Sequence, residues 1–412
     1  MINLFFVDRK ALQRLQAGPL NTYIDKFAAL LSELSYAKST GQPHIRLVAD
    51  LSRWLQQKQL KVKDLNEQLV AKFFKYRRRH LHIRRGDTAT LQLLLKMLRG
   101  TGKISNPSLK ISNSPIQQIE RRFTQYLLEE RNLSQATLLN TLPFVRQFLT
   151  KRFGKGPILL NELHSTDITR FVLQHTHTLS PACAKLMAGA LRCFLRFLYM
   201  HRDITTDLAQ AVPAVANWRL SNLPKYIEPE QVKCLLKSCD QTTILGQRNY
   251  TILLILARLG LRAGEVVNMR LDDIDWEAGE FIVHGKGNQQ DRLPIPYDVG
   301  KSLAKYLRYG RPRCSSRQVF IRTKAPIRGF ANSSRISTIV MQALKHAGIN
   351  STCKGAHLLR HSLATNMLRR GASFNEIGEI LRHKLMNTTE IYAKVDLQAL
   401  RKLAQPWPGG TK

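Results

Sequence analysis

Apolar residues recur at helical spacing through most of the chain. Phe144, Phe148 and Leu149 repeat at three- to five-residue intervals, as do Leu191, Phe194, Leu195 and Leu198, which predicts helices on either side of one core. Tyr250 to Arg258 reads as an apolar helix stopped by Gly260, a residue that suits a left-handed cap. Period-two patterning is confined to Phe281-Ile-Val-His and Arg292-Leu-Pro-Ile-Pro, two short strands flanking the turn Gly285-Lys286-Gly287-Asn288. Ser373 with Glu376, and Asn387 with Glu390, are spaced as capping boxes at two further helix starts. The predicted fold is mainly α, with a small β-sheet that makes the last block α+β.

Breaker residues divide this pattern into three blocks. Gly100 to Pro115, rich in Gly, Ser, Asn and Pro, separates a helical block at 1–110 from a second at 116–213. Pro213, Asn217, Asn222 and Pro224 then precede a third block at 226–405. The first two are spaced as possible duplicates. Phe27 and Leu31 match Phe123 and Leu127 at an offset of 96, while Leu51, Trp54 and Leu55 match Val145, Phe148 and Leu149 at 94. Leu65, Val70, Lys72 and Phe73 match Leu163, Ile168, Arg170 and Phe171 at 98. Loop insertions between shared helices account for the drift, although two unrelated helical bundles would also share part of it.

Charge changes the picture from fold to partner. The 412 residues carry 64 Lys+Arg against 29 Asp+Glu, a formal charge of +35, which calls for a polyanion, and nucleic acid is the commonest one. Hydrophobic residues at 43% are too many for a disordered basic tail. The longest apolar run, Ile252 to Ala257, is far too short to span a membrane, and MINLFFVDRK lacks the basic region of a signal peptide. Cys183, Cys193, Cys234, Cys239, Cys314 and Cys353 form no CxxC pair. They are expected to be reduced thiols of a cytoplasmic protein, most of them buried, with neither disulfide nor zinc.

Candidate chemistry collects in the third block. Arg262 lies just past a helix end in Leu259-Gly-Leu-Arg-Ala-Gly-Glu265, and Lys286 sits between two glycines at a turn tip. His357 and Arg360 in His357-Leu-Leu-Arg-His361 share one helical face; Leu381-Arg-His383 and Tyr392 follow. Singly, each has an ordinary reading: a C-terminal helix cation, a solvated lysine, a half-buried tyrosine. His357 and His361 are spaced as a metal pair, but no carboxylate stands between them at the metalloprotease position and no cysteine lies nearby.

As an ordered set these residues resemble the tyrosine recombinase (lambda-type integrase) family. The resemblance spans about 226–396 with specific motifs and 116–213 more loosely. The motifs are Arg262 in LGLRAGE, Lys286 in HGKGNQQDRLPIP, His357 and Arg360 in HLLRH, His383 in LRH and Tyr392 in TTEIYAKVD. Ala263-Gly264 departs from the branched residue and serine of many members, which bears on packing alone. The resemblance implies helical DNA-binding domains, the second of them SAM-like, ahead of a C-terminal catalytic domain. It also implies Tyr392 as the nucleophile that forms a 3′-phosphotyrosyl link, Arg262 and Arg360 as the phosphate clamp and Lys286 as general acid. His357 would help to take the phenolic proton and His383 would bind the phosphate, with Glu265 as a supporting residue that orients its neighbours. No cofactor and no metal are implied.

The physical logic supports such a set. A phenolate conserves phosphodiester bond energy in a covalent intermediate, and paired guanidiniums neutralise charge that builds on the non-bridging oxygens. Expected partners are double-stranded DNA, further copies of the chain or related recombinases in a tetramer, and accessory DNA-bending proteins, at the nucleoid and away from membranes. The extra first block favours the integrase of a mobile element over a Xer-like chromosome or plasmid dimer resolvase. A type IB topoisomerase and a DNA-binding regulator that does not cut are competing readings. Phe73-Phe-Lys-Tyr-Arg-Arg-Arg79 is the densest basic run and suits phosphate contact, or simply an exposed helix face. Leu397, Leu400 and Leu403 form an apolar stripe suited to docking on a neighbouring protomer or on its own domain.

Overall fold

The computed structural model describes every residue except 16, 80, 85, 106–113, 155, 217–223, 286–288, 384–387 and 396–412. The fold is mainly helical, with a single three-stranded sheet among the described residues. Chain contacts gather into two compact units, one formed by Met1–Ile104 with Leu223–Lys412 and the other by Ser105–Asn222.

The first block holds α1 (Arg9–Leu15), α2 (Asn21–Glu33), α3 (Lys38–Gln57), α4 (Glu67–Arg77) and α5 (Asp87–Gly100). Its apolar faces close on one core that includes Phe27, Leu51, Leu55 and Leu94. Asn66 starts α4 by accepting the Leu69 N–H at 2.9 Å, satisfying one of the donors that a helix start leaves open. This block joins the third through backbone: the Ile327 N–H donates to the Leu34 carbonyl at 3.1 Å.

The second unit holds α6 (Pro115–Gln125), α7 (Gln135–Phe153), α8 (Ser165–Thr176) and α9 (Pro181–Met200) around its own core. Ser134 and Ser180 cap α7 and α9, and Pro181 takes the first turn of α9, where its missing N–H costs nothing. The order α6 to α9 repeats that of α2 to α5, with a short 3-10 turn before α4 at Val62–Asp64 and before α8 at Leu160–Glu162. All eight apolar pairs aligned between the blocks are buried in both. Trp54 meets Phe73 at 5.6 Å between centroids; their counterparts Phe148 and Phe171 meet at 5.3 Å.

The third block adds α10 (Pro229–Lys237), α11 (Ile244–Leu259), α12 (Ala263–Asn268), α13 (Tyr297–Lys305), α14 (Ser334–His346), α15 (His357–Arg369) and α16 (Phe374–Leu381). Helix α11 is buried on nearly all sides at the centre of the core. The sheet runs β1 (Ile274–Asp275), β2 (Glu280–His284) and β3 (Gln290–Pro294), antiparallel, with Phe281 opposite Leu293. The second predicted strand begins earlier than its apolar pattern suggests, at Gln290, because backbone pairing with His284 carries the ladder through polar residues. Ile295 and Pro296 fall outside it: the Ile295 N–H turns to Gly279 O at 2.7 Å, and Pro296 caps α13.

None of the six cysteines is fully buried, against the expectation for most of them; Cys234 is exposed and the others are half-buried. Four of them stand in or beside helices whose core positions are filled by larger apolar side chains, such as Leu235 beside Cys234 and Phe194 beside Cys193. All six are free thiols.

Candidate active site

A left-handed turn begins the site. Gly260 caps α11 at φ +58°, and two residues later Arg262 is already the N-cap of α12. Glu265, at the third position of α12, reaches back so that its Oε2 accepts the Arg262 N–H and its Oε1 accepts Arg262 Nη1, both at 2.8 Å. This carboxylate is buried, which would be costly without its cationic partners.

Helix α15 supplies the second guanidinium. Arg360 is 3% exposed and donates through Nη1 to the Gly260 carbonyl and through Nη2 to the Leu381 carbonyl. Burial, with Arg262 and Arg382 nearby, lowers its pKa to about 10, so it stays charged at neutral pH. His357, the first residue of α15, presents an exposed face. Partial desolvation, then Arg360 and Arg262, hold it below the ordinary histidine value.

The end of α16 closes the cluster. Its cap residue Arg382 is left-handed at φ +53°; the Arg382 carbonyl accepts Arg262 Nη2 at 3.3 Å, and its own Nη2 donates to Glu265 Oε2 at 2.6 Å. His383 follows, its Nδ1 2.8 Å from the hydroxyl of buried Thr389. Burial and the positive field of Arg360 and Arg262 bring His383 down to about 4.

Tyr392 stands in the 3-10 segment Glu390–Val395, within a small separate core of Ala364, Leu368, Ile377 and Leu381. It is 1% exposed, and burial pushes its phenol up to about 12 against the pull of Arg360. Its hydroxyl lies 2.9 Å from Nδ1 of His361. Burial, then His357 and Arg360, lower His361 to about 4, so a neutral imidazole faces the phenol.

Six of the seven residues singled out in the sequence thus occupy one neighbourhood: Arg262, Glu265, His357, Arg360, His383 and Tyr392. Lys286, which follows β2 and precedes β3 in the chain, lies outside the described residues. The Asn387 half of a capping box and the stripe at Leu397, Leu400 and Leu403 lie outside them too. Sequence reasoning missed His361, read only as half of a metal pair, and Arg382. A signal was present: Leu-Arg-His occurs twice, at 359–361 and 381–383, and each copy sends a buried arginine into this cluster.

Three guanidiniums around one buried carboxylate leave a surplus of positive charge. That suits an anionic phosphodiester beside a phenol and neutral imidazoles. Among the described residues, no group of three His, Cys, Asp or Glu is placed to hold a metal ion, and no helix is long and apolar enough to cross a membrane.

Comparison with known proteins agrees with this chemistry. Residues 225–399 match the phage integrase family. The integrase/recombinase designated y4rA of Sinorhizobium fredii (strain NBRC 101917 / NGR234) is 44% identical over 401 residues, covering 97% of each chain. The tyrosine recombinase XerC of Bacillus pumilus (strain SAFR-032) is 27% identical over 69% of this chain and 94% of its own. Among solved structures, the XerH site-specific recombinase bound to palindromic difH substrate in a post-cleavage complex superposes with a TM-score of 0.56 at 20% identity. That match covers 75% of this chain and 93% of the other, and it supports the fold. The chain belongs to the phage integrase family of tyrosine recombinases, enzymes of site-specific recombination that cleave and rejoin DNA.

Proposed function

We propose that this recombinase integrates or excises a mobile element, with Tyr392 as its nucleophile. The observation that carries the site assignment is the convergence of Arg262, Arg360 and Arg382 on Glu265 and the adjoining backbone carbonyls, beside the Tyr392–His361 pair.

In this reading the Tyr392 oxygen bonds to the scissile phosphorus while the bond from phosphorus to the 5′-oxygen breaks. Arg262 and Arg360 hold the non-bridging oxygens as charge builds on them. Lys286 gives its proton to the departing 5′-oxygen, and the free 5′-hydroxyl of the partner strand later reverses the step. The phenolic proton passes to a histidine; His357 is the residue implied by family resemblance, whereas His361 is the one in contact with the phenol. His383 steadies the phosphate.

The mobile-element role draws support from coverage. The integrase/recombinase of Sinorhizobium fredii aligns with 97% of this chain, whereas the XerC relative aligns with 69% of it while using 94% of its own length. A chromosome dimer resolvase therefore has no need of so long a chain. The first block is a duplicate of the second, as their matching helix order and buried pairs suggest, and both grip DNA. Exchange takes place in a tetramer on duplex DNA in the cytoplasm, with accessory DNA-bending proteins.

The test uses labelled duplexes tiled across the ends of the encoding locus, incubated with wild type and Tyr392→Phe and then denatured in SDS. An adduct formed by the wild type alone, on a tile at an element end, is expected. Tight binding with no adduct on any tile would favour the non-cleaving regulator.

A further inference from the structure

Arg382 combines several features that a surface cap would not tolerate. Its backbone is left-handed at φ +53°, a region costly for any residue with a Cβ. Its side chain is only 8% exposed. Nε and Nη1 are buried with no hydrogen-bond partner among the described residues, and Nε stands 3.7 Å from Asp291 Oδ2 on β3, beyond hydrogen-bonding distance. Buried donors are rarely left open in this way. A glycine at this cap would remove all three costs while keeping the turn.

In return the residue makes two connections to the phosphate clamp. Its Nη2 holds Glu265 Oε2 at 2.6 Å, and its carbonyl accepts Arg262 Nη2 at 3.3 Å. Glu265 also holds Nη1 and the N–H of Arg262. Arg262 is therefore gripped on both sides by groups that Arg382 supplies or orients. The Arg262 side chain is 39% exposed and would otherwise sample many rotamers. Leu381, the preceding residue, accepts Arg360 Nη2, so one short turn sets both guanidiniums.

We infer that Arg382 is a positioning residue: it fixes Glu265, and through it the Arg262 guanidinium, in register for the scissile phosphate. The inference rests on the recombinase site proposed above. Arg382 touches no reacting atom in this role. Its contribution is orientation of a charge that matters most when the phosphorane-like transition state forms.

The test compares wild type, Arg382→Gly and Arg382→Lys on the duplex tile that reacts with the wild type, carrying either the natural phosphodiester or an uncharged methylphosphonate at the mapped bond. Arg382→Gly is expected to slow adduct formation about 100-fold on the phosphodiester. On the methylphosphonate the loss should shrink to less than about 5-fold, because less charge remains for Arg262 to stabilise. Binding should stay near wild type at a temperature where the variant is fully folded. The melting temperature should fall because buried Glu265 keeps only one of its two cations, and Arg382→Lys should recover part of the rate. Equal slowing on both substrates, slowing that follows lost stability, or no slowing would each overturn the inference. An active wild type with an unimpaired Arg382→Gly sinks this inference alone. A wild type that forms no adduct on any tile sinks the recombinase site with it.

Discussion

The phenolic oxygen of Tyr392 and Nδ1 of His361 lie 2.9 Å apart, with the tyrosine sealed from solvent and the histidine held neutral. A neutral imidazole can accept the phenolic proton, and no other side chain of the described residues is hydrogen-bonded to that hydroxyl. His361→Ala should slow adduct formation by about 100-fold with DNA affinity unchanged. A rate equal to wild type in single-turnover assays would show that this hydrogen bond plays no part in proton removal.

Tyr392→Phe should bind the reactive duplex as tightly as wild type and form no covalent adduct at any time. Gel shift and SDS electrophoresis on the same samples separate the two effects. Residual adduct from the phenylalanine protein would place the nucleophile elsewhere.

Stability should depend on pH through His361 and His383, each depressed to about 4 by burial. Their ordinary value is 6.5, so between roughly pH 6.5 and 4 the unfolded chain binds more protons than the folded one. Stability is complete above that window and declines as pH falls through it, by a few kcal/mol for the pair once the full linkage of about 7 kcal/mol is reduced for solvent screening at these part-exposed rings. Denaturant titrations at pH 7 and pH 4.5 should reveal the decline, and His361→Gln with His383→Gln should flatten it. An equally steep decline in the double variant would assign it to other groups.

Glu265→Gln should be damaging in two ways. It removes the charge that holds Arg262 and Arg382 and leaves the buried Arg382 guanidinium with only Asp291 at 3.7 Å, at about 3 kcal/mol of stability. Cleavage should fall further than the stability loss explains, by about 100-fold at a temperature where the variant is fully folded. Thermal melts and adduct kinetics on one preparation test both halves.

The basic run in α4 is split by the fold. Phe73 enters the core and Arg77 is paired with Asp50, while Lys72, Lys75, Arg78 and Arg79 stay exposed. Changing the four exposed cations to glutamine should reduce the salt dependence of DNA binding, by about 0.9 in log–log slope for each phosphate no longer neutralised. Arg77→Gln should leave that slope alone and lower stability instead. The reverse pattern would remove this face from the DNA interface.

Much of this arrangement was legible in the sequence because its signals are local. Gly260 announced a helix end, Ser373 and Glu376 announced a helix start, and Phe281 to His284 a strand; all three stand where the pattern put them. The order of Arg262, Arg360, His383 and Tyr392 announced the family. Partner choice was not legible, because it depends on contacts between residues far apart in the chain. Nothing in the spacing says that Tyr392 meets His361 instead of His357, since both stand on one helix face and differ by a single turn. Nor does composition reveal that Arg382 is buried, since an arginine after a helix is ordinarily a solvated cap. The two-residue strand Ile274–Asp275 is too short to leave any periodic trace.

Gly260 has a role that its turn geometry alone does not exhaust. A methyl group on its α-carbon would come within 2.6 Å of Leu381 Cδ2 and 3.1 Å of Leu363 Cδ2. The carbonyls of Gly260 and Leu381 are the two jaws that receive Arg360. The bare α-carbon therefore lets two leucine side chains close in beside the seat of Arg360. An alanine there would have to displace the Leu381 and Leu363 methyl groups, press within 3.7 Å of Arg360 Cγ and hold a left-handed backbone, so its cost falls on the packing around that guanidinium. One methyl group that never approaches DNA would thus bear on the seat of Arg360 through two leucines.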